Sequence, residues 1–554
     1  MAAWRHHRGP LLILLLGWGG LMLWLQIQAL QFRADGVWAG HLNIWSDWPL
    51  HLAMAHAFAD RPPALWLAHH PMFAHGALIY PFGVNLVSGL LLRAGMGLDW
   101  AMSLPTLLAS LATPLLLYAL FLQLLAGAWR ALLAVSLFYL GAGLGGLEFL
   151  WQTLRAADWA ALAYPPLEVS RLDRYDWYSG NVLTGMLLPQ RAFVFGFPFA
   201  LASLLMLLIA LRGGVSRPRL LAAAGGLMAG LLPLLHTHSF IALALIGPGL
   251  ALTHLRSWRV WGLYAAVAGL LGGALAGWLM SLGQGLPNHL RWAPGFSAPG
   301  GFLSWLEMWW RLWGLSLPAA LLGAMLFRRQ GALAAARGMA LGGLIGFAFA
   351  NLWLVQPNRW DNAKIFLWVW LCWTPLVVMA LTSLWDWRRG RETPARVLAV
   401  MLALGVATTG AVELWRLMRV DRGSYMIASA EQVELAARIR AGTAATAVFL
   451  TEPSHNHPVM AFAGRPILLG FTGWIANLGF DYRERDADIP RMFAGGPDAV
   501  ALLARHRIDY VWIGPGERRR YAVNEAWFAA RYPLAFRSQS VRVYAVPGGV
   551  ADSG

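Results

Sequence analysis

Long apolar runs separated by short polar connections fill the first three quarters of the chain. A bilayer core takes about 20 apolar residues per helix. Windows of that kind fall near residues 10–31, 101–126, 130–153, 192–211, 220–236, 239–255, 260–281, 313–327, 338–356, 364–385 and 396–416. They predict about eleven transmembrane helices. The basic side chains give these helices a direction. Arg5 and Arg8, Arg130, Arg212 with Arg217 and Arg219, Arg256 and Arg259, Arg328 and Arg329, and Arg388 with Arg389, Arg391 and Arg396 fall in every second connection. By the positive-inside rule the N-terminus is then cytoplasmic and everything after residue 417 is outside. The outer side receives the loops 32–100, 154–190 and 282–312, a turn at 357–363 and the tail; the inner side receives short basic turns. Residues 4 to 8 ahead of the run 10–31 resemble a secretory signal, but the run is long and no small-residue cleavage site ends it, so a retained first span is expected.

From about residue 418 the pattern changes. Helix-like EQVELAARIRAG, strand-like TAVFLTE, helix-like DAVALLARHRI, DYVWIG, VNEAWFAARY and the closing SVRVYAV alternate. Such alternation predicts a small α/β domain with a mostly parallel sheet, long enough to bury its own core. The fold class read from the pattern is an α-helical polytopic membrane protein with a C-terminal soluble α/β domain. It is divided into a membrane domain with periplasmic loops at 1–417 and a periplasmic domain at 418–554.

Composition agrees: 58% of the 554 residues are hydrophobic and 13% charged, with 31 tryptophans. A soluble protein of this size needs more charge to cover its surface. The net charge of +16 does not imply nucleic acid, because the basic residues sit in clusters between apolar runs. Lys364 is the only lysine and Cys372 the only cysteine, which leaves no internal disulfide and no thiolate metal site.

The stretch NIWSDWPLHLAMAHAFAD, residues 43 to 60, places Asp47 between two tryptophans just after the first span. Ser46 or Asp47 followed by Pro49 is a good helix start, so capping alone accounts for the carboxylate. Leu50, Met54 and Phe58 form an apolar stripe, and His51 lies one turn after Asp47, where an imidazole can orient a general base. Glu148, near the outer end of the third span, stands out because carboxylates at membrane depth are costly and tend to face cavities. It is a candidate accessory acid.

The order of a first span, an outer loop with an early acid, a juxtamembrane helix and then HHPMFAHGALIYPFGVNLVSGLLLRAGMGLDWAMSLPTLLAS resembles the start of the GT-C superfamily of membrane glycosyltransferases. The dolichyl-phosphate-mannose–protein mannosyltransferases and the aminoarabinose transferases are the members it is most like. The likeness covers roughly residues 1 to 150, with Gly76, Tyr80 and Pro81 at the family's Gly and Tyr-Pro positions. It implies a sugar donor on a polyprenyl phosphate, transfer to a glycan, lipid or protein acceptor at the outer leaflet, and Asp47 at the catalytic centre. Many members carry paired acids in this loop, whereas Ser46 and Trp48 flank Asp47 here. Asp173 and Asp176 in RLDRYDWYSG resemble the acidic second-loop motif of metal-dependent oligosaccharyltransferases at a different spacing; a solvated loop is the plainer account. A divalent metal is left open as cofactor, with no metal ligands assigned.

A departing lipid phosphate needs cations at the outer ends of spans. Arg191 after Gln190, His236 and His238 in LLHTHSF, and Arg359 and Lys364 around Asp361 in QPNRWDNAKIF are expected to bind substrate, as is Tyr80. Each has a plain alternative: Arg191 snorkelling to headgroups, the histidines capping a turn, Arg359 and Lys364 pairing with Asp361. His455 and His457 in the tail are a weak metal signal without a third ligand. The reading is an inverting-type transferase in the bacterial inner membrane, in contact with membrane lipids and with no nucleic acid. The alternative is a non-catalytic scaffold or transporter that binds or moves a lipid-linked glycan. A transporter places functional charge near the bilayer midplane, whereas the polar residues here gather at the outer ends.

The arginine alternation makes a direct prediction. Reporter fusions after Arg8, Arg329 and Gly554 should read inside, inside and outside; an inside signal at the C-terminus overturns the topology.

Overall fold

The computed structural model describes residues 2–41, 44–283, 289–326, 334–387 and 392–547. Arg328, Arg329, Arg388, Arg389 and Arg391 lie outside the described residues, as do Phe327 at the end of one apolar run and the side chain of Arg5. Each of the eleven apolar runs is helical over most of its described length, with Leu30 and Gln31 and then Trp353 and Leu354 passing into strands at the ends of two of them. Among the described residues eight helices are long and apolar enough to cross a bilayer, from His7–Ala29 to Glu392–Leu417. The chain is a multi-pass membrane protein. The run 130–153 is a pair, Ala128–Leu140 and Gly145–Ala156, bent by 67°, which makes a ninth span if counted as one. Thr237–Thr253 and Ser316–Leu326 are apolar but shorter. The bend falls in the glycine-rich segment 141–146. Gly143 has φ +81°, and a Cβ there would sit 2.4 Å from the carbonyl oxygens of Arg311 and Leu312, so the break needs glycine twice over.

The chain forms two compact units. The first comprises Met1–Gln26, Thr106–Gly277 and Asn288–Gly423. Its centre is helix Ala363–Trp385, which the neighbouring helices bury almost completely, including Trp368 and Cys372. Small residues let these helices approach closely, as expected where no water drives association. A Cβ on Gly249 of Thr237–Thr253 would lie 2.3 Å from the Gly342 nitrogen of helix Ala334–Leu352, and one on Gly323 would lie 1.9 Å from the Leu376 oxygen.

The second unit comprises Ile27–Pro105, Trp278–Pro287 and Ser424–Gly554, so the first loop and the tail belong to one body. Strands Leu30–Arg33 and Gly36–Ala39 form a two-residue hairpin, and Gly36–Ala39 pairs antiparallel with Tyr425–Ser429. Helix Ile44–Asp60 packs on helix Gly83–Arg93, where a Cβ on Gly89 would meet Phe58 at 2.4 Å. The tail folds as helices around a four-stranded sheet. Here the expectation of a mostly parallel sheet fails. Phe449–Leu450 and Tyr510–Ile513 are parallel, whereas Arg542–Ala545 runs antiparallel to both Tyr510–Ile513 and Leu534–Arg537. The short turn between the last two strands leaves no room for the crossover that a parallel pair requires.

An ion cluster fastens the first loop to the tail within this unit. Asp60, the last residue of its helix, accepts from Arg440 at 2.9 and 2.6 Å and from Arg465 at 3.0 Å. Arg465 is 3% exposed and also donates to the carbonyls of Ala463, Arg440 and Thr443. Burial alone would raise the Asp60 pKa, but hydrogen bonding and charge from Arg440, with help from Arg465, hold it below the ordinary 3.8. A folded-state pKa below the unfolded one means that the stabilisation is complete above about pH 4 and is lost as pH falls through the folded value. Removing one partner of a buried pair strands the other charge, at a cost of about 3–5 kcal/mol. Asp60→Ala should therefore lower the melting temperature at pH 7, and the gap to the wild type should close on acidification below pH 4; equal melting curves at pH 7 would remove the cluster from the account of stability.

Candidate functional site

In the second unit, helix Ile44–Asp60 starts earlier than the Ser46/Asp47 cap expected from sequence. Ile44 and Trp48 are both fully buried one turn apart, and burying that pair carries the helix back to Ile44. Pro49 accordingly lies inside the helix, and Asp47 sits in its first turn, half-buried, where the helix dipole favours a carboxylate. His51 is completely buried, with Nδ1 3.1 Å from Asn85 Oδ1. The Asn85 amide nitrogen faces Met54 Sδ at 3.5 Å, so the oxygen faces the imidazole, Nδ1 donates, and the neutral ring carries its lone pair on Nε2. Tyr80 meets His51 edge-on, with ring centroids 5.8 Å apart, and tilts against Trp474 on its other side. Asp47, His51 and Tyr80 thus belong to one unit, and His51 and Tyr80 are in contact.

The remaining candidates belong to the first unit. Lys364 Nζ is 2.5 Å from Asp361 Oδ1, and both side chains are largely buried. His236 and His238 are buried with ring centroids 5.6 Å apart. Both lie within electrostatic reach of Lys364, and His236 also of Asp361. The structure therefore brings together residues from two separate parts of the sequence. His236 caps the helix that follows it: Nδ1 accepts from the Ser239 backbone N–H at 3.2 Å, which places the ring proton of the neutral form on Nε2. Arg191 opens helix Arg191–Arg212 and is fully buried, which excludes the headgroup-snorkelling alternative. Arg359 lies 3.9 Å from Asp176, half-exposed. Glu148 pairs with Arg311 at 2.8 Å with 41% of its side chain exposed, an ion pair at the rim and not a carboxylate deep in a cavity. Asp173 bonds the neighbouring Arg171 at 2.6 Å and is mostly exposed. Among the described residues no three His, Cys, Asp or Glu side chains group closely enough to hold a metal ion. In the second unit, outside this group, His455 stacks on Phe471, and His457 turns to Glu517.

Sequence reasoning missed two features of this unit. One is a narrow aromatic cleft of about 40 Å³, lined by Trp177, Trp313, Phe366 and Trp370 and by the backbone of the helix break at Gly141–Gly143. The other is Glu413, 1% exposed near the end of the last span. Its carboxylate accepts from the Ser170 N–H at 3.0 Å, from the Ser170 hydroxyl and from Thr184 Oγ1 at 2.5 Å. Thr184 in turn bonds Ser179, and Ser170 Oγ accepts from Gly180 N–H, so Glu413 fixes the segment Ser179–Val182 that walls the cleft. An acid inside an apolar run is the signal that singled out Glu148, and it was present here too.

No family model matches the sequence, and no curated protein matches it. Solved structures do. The oligosaccharyltransferase of Archaeoglobus fulgidus in its apo form aligns with a TM-score of 0.54 and 12% identity over 91% of this chain and 69% of its own. The same organism's AglB, in complex with an inhibitory peptide and a dolichol-phosphate, aligns at 0.53 and 12% over 92% and 70%. ArnT from Cupriavidus metallidurans in the apo state spans 96% of this chain and 97% of its own at 12% identity, with a TM-score of 0.48 that adds nothing to the assignment. The fold is that of the archaeal oligosaccharyltransferase.

Glu413→Gln keeps the side chain's size but turns one acceptor into an NH2 group aimed at donors. A buried polar group left without its partner costs about 1–3 kcal/mol. The variant should melt earlier in detergent; an unchanged melting temperature would show that the network around Ser170 and Thr184 holds without the carboxylate.

Proposed function

We propose that the chain is a membrane glycosyltransferase that takes a hexosyl or pentosyl group from a polyprenyl-phosphate-linked donor and transfers it to a glycan, lipid or protein acceptor at the outer, periplasmic face of a bacterial inner membrane. In this reading residues 1–417 are the membrane domain with periplasmic loops and 418–554 the periplasmic domain. The observation that carries it is a set of buried nitrogens without partners among the described residues. The Nε2 atoms of His236 and His238 are buried with no hydrogen-bond partner among the described residues, and Lys364 has three N–H donors of which Asp361 takes one. Buried polar groups are ordinarily satisfied, so these nitrogens need a partner such as a water or an anion. A phosphate oxygen answers that need, and the dolichol-phosphate in the AglB complex is a lipid phosphate on the same fold.

The roles follow from the chemistry. Asp47 accepts the proton of the attacking acceptor hydroxyl, the oxygen attacks the anomeric carbon, and the bond to the lipid phosphate breaks with its electron pair. Lys364, His236 and Arg191 supply positive charge or N–H donors to the anion that leaves. His51 and Tyr80 shape the surroundings of helix Ile44–Asp60.

Two substitutions test this in cells that lack the native gene and carry the variant, with mass spectrometry of envelope glycans and lipid-linked sugars as readout. Asp47→Asn keeps the size and most of the local hydrogen bonding but cannot take a proton. It should fold normally and lose about a hundredfold to ten-thousandfold in transfer rate. Lys364→Ala should accumulate unused lipid-linked donor. Wild-type glycan from both variants would overturn the transferase reading and favour the non-catalytic scaffold.

A further inference from the structure

The tail contains a polar cavity that none of these roles uses. It lies at the C-terminal ends of the parallel strands Phe449–Leu450 and Tyr510–Ile513, the position where α/β sheets present ligand crevices. Its volume is about 210 Å³, below the roughly 300–1,000 Å³ of drug-sized sites, which limits an occupant to one small molecule.

Its floor is built and rigid. Glu517, 1% exposed, accepts from the backbone N–H groups of Gly514 at 2.9 Å and Glu452 at 3.0 Å. His457 Nδ1 accepts from the Val459 N–H at 3.3 Å, so its proton is on Nε2, which points at Glu517 Oε1 at 3.3 Å. Burial would raise the Glu517 pKa, but the His457 bond and charge outweigh it and hold the group ionised. Glu517 and His457 therefore satisfy each other and have little left for a ligand.

The wall is different. The Glu452 carboxylate is half-buried and has no hydrogen-bond partner among the described residues. Burial first, and the neighbouring Glu517 charge second, push its pKa up. It lies against Gly516, where a Cβ would come within 2.2 Å of its Oε1. Asn456 donates to the Ile427 carbonyl at 2.9 Å, which leaves its Oδ1 and one N–H over, and Arg519 stands exposed at the edge. Trp512 and Pro458 add apolar faces.

This lining selects among ligands. Two carboxylates repel a phosphate or carboxylate ligand. No three metal-ligating side chains converge among the described residues. A lipid chain would strand the polar groups without partners. A hydroxyl-bearing ring meets each requirement: its O–H groups donate to Glu452 and Asn456, its oxygens accept from Asn456 and Arg519, and its C–H face covers Trp512 or Pro458.

We propose that this cavity is a saccharide-binding site in which Glu452, Asn456 and Arg519 hold the hydroxyls of one sugar ring. The proposal does not depend on transfer chemistry at Asp47. Its test uses the full chain in nanodiscs and saturation-transfer NMR with glucose, galactose, mannose, N-acetylglucosamine and glucosamine as separate probes at millimolar concentration. At least one probe should take up saturation. That signal should fall at least tenfold in Glu452→Ala and in Gly516→Ala, whose methyl group displaces the Glu452 carboxylate while the His457–Glu517 pair remains. Where Glu452→Ala lowers the melting temperature, Gly516→Ala and Asn456→Ala carry the comparison. Asp47→Asn should leave the signal unchanged. Absence of saturation transfer from every probe overturns the proposal, and so does a signal that survives in Gly516→Ala and Asn456→Ala or that disappears in Asp47→Asn.

Discussion

Asp60 ends its helix with a negative charge at the end where the backbone carbonyls already concentrate one. Left alone, that placement opposes helix formation, and the two guanidiniums of Arg440 and Arg465 reverse it. They come from separate parts of the tail, so the first loop is held in its conformation by the last quarter of the chain. The consequence reaches the other end of the helix. Thirteen residues separate Asp47 from Asp60, about 20 Å at 1.5 Å per residue, and an α-helix transmits orientation over that length as a rod. With Asp60 clamped, Trp48 buried and His51 held by Asn85, neither the tilt nor the rotation of the first turn is adjustable. A carboxylate that is to act on a substrate needs this kind of external support.

The membrane part was legible because its signal is local. An apolar run of sufficient length has one way to satisfy its backbone inside a bilayer, and every run read from the sequence is helical over most of its described length. What run-counting misses is where a run contains its own interruption. The segment 130–153 reads as one span because glycine and alanine count as apolar, yet GAGLGG at 141–146 breaks it by 67° and lends its backbone to the aromatic cleft. The glycines were visible. Their partner, the carbonyls of Arg311 and Leu312, was not, because close approach between residues about 170 positions apart leaves no mark on either segment.

The polar residues follow the same division. Asp47, His51 and Tyr80 were found because they are near one another in sequence and in a recognisable order. The bond from His51 to Asn85, the grip of Arg440 and Arg465 on Asp60 and the attachment of Ser170 and Thr184 to Glu413 all join distant segments, and hydropathy carries no information about such pairings. The cap proposed for Asp47 failed for a related reason. Capping rules weigh the side chains beside the helix start, whereas the burial of Ile44 and Trp48 by the rest of the unit carries the helix back at least as far as Ile44. The mixed sheet of the tail was misjudged because strand and helix lengths were read without the short final turn, which forces an antiparallel pair.

Lys364 is the point at which composition, structure and chemistry converge. Arginine supplies every other basic charge outside the histidines, so a lone lysine at this position is a departure from the habit of the chain. A guanidinium beside Asp361 would form a planar fork and commit two donors to one carboxylate. An ammonium gives one N–H to Asp361 at 2.5 Å and keeps two others, on a compact head that tolerates burial better when a carboxylate balances it. Close by, His236 uses its acceptor nitrogen to cap a helix and thereby turns a donor, not a lone pair, toward its surroundings. The ion pair reduces the cost of burying the charge, the cap sets the tautomer, and both leave hydrogens facing inward. Such donors are what the proposed reaction would use to stabilise a departing phosphate.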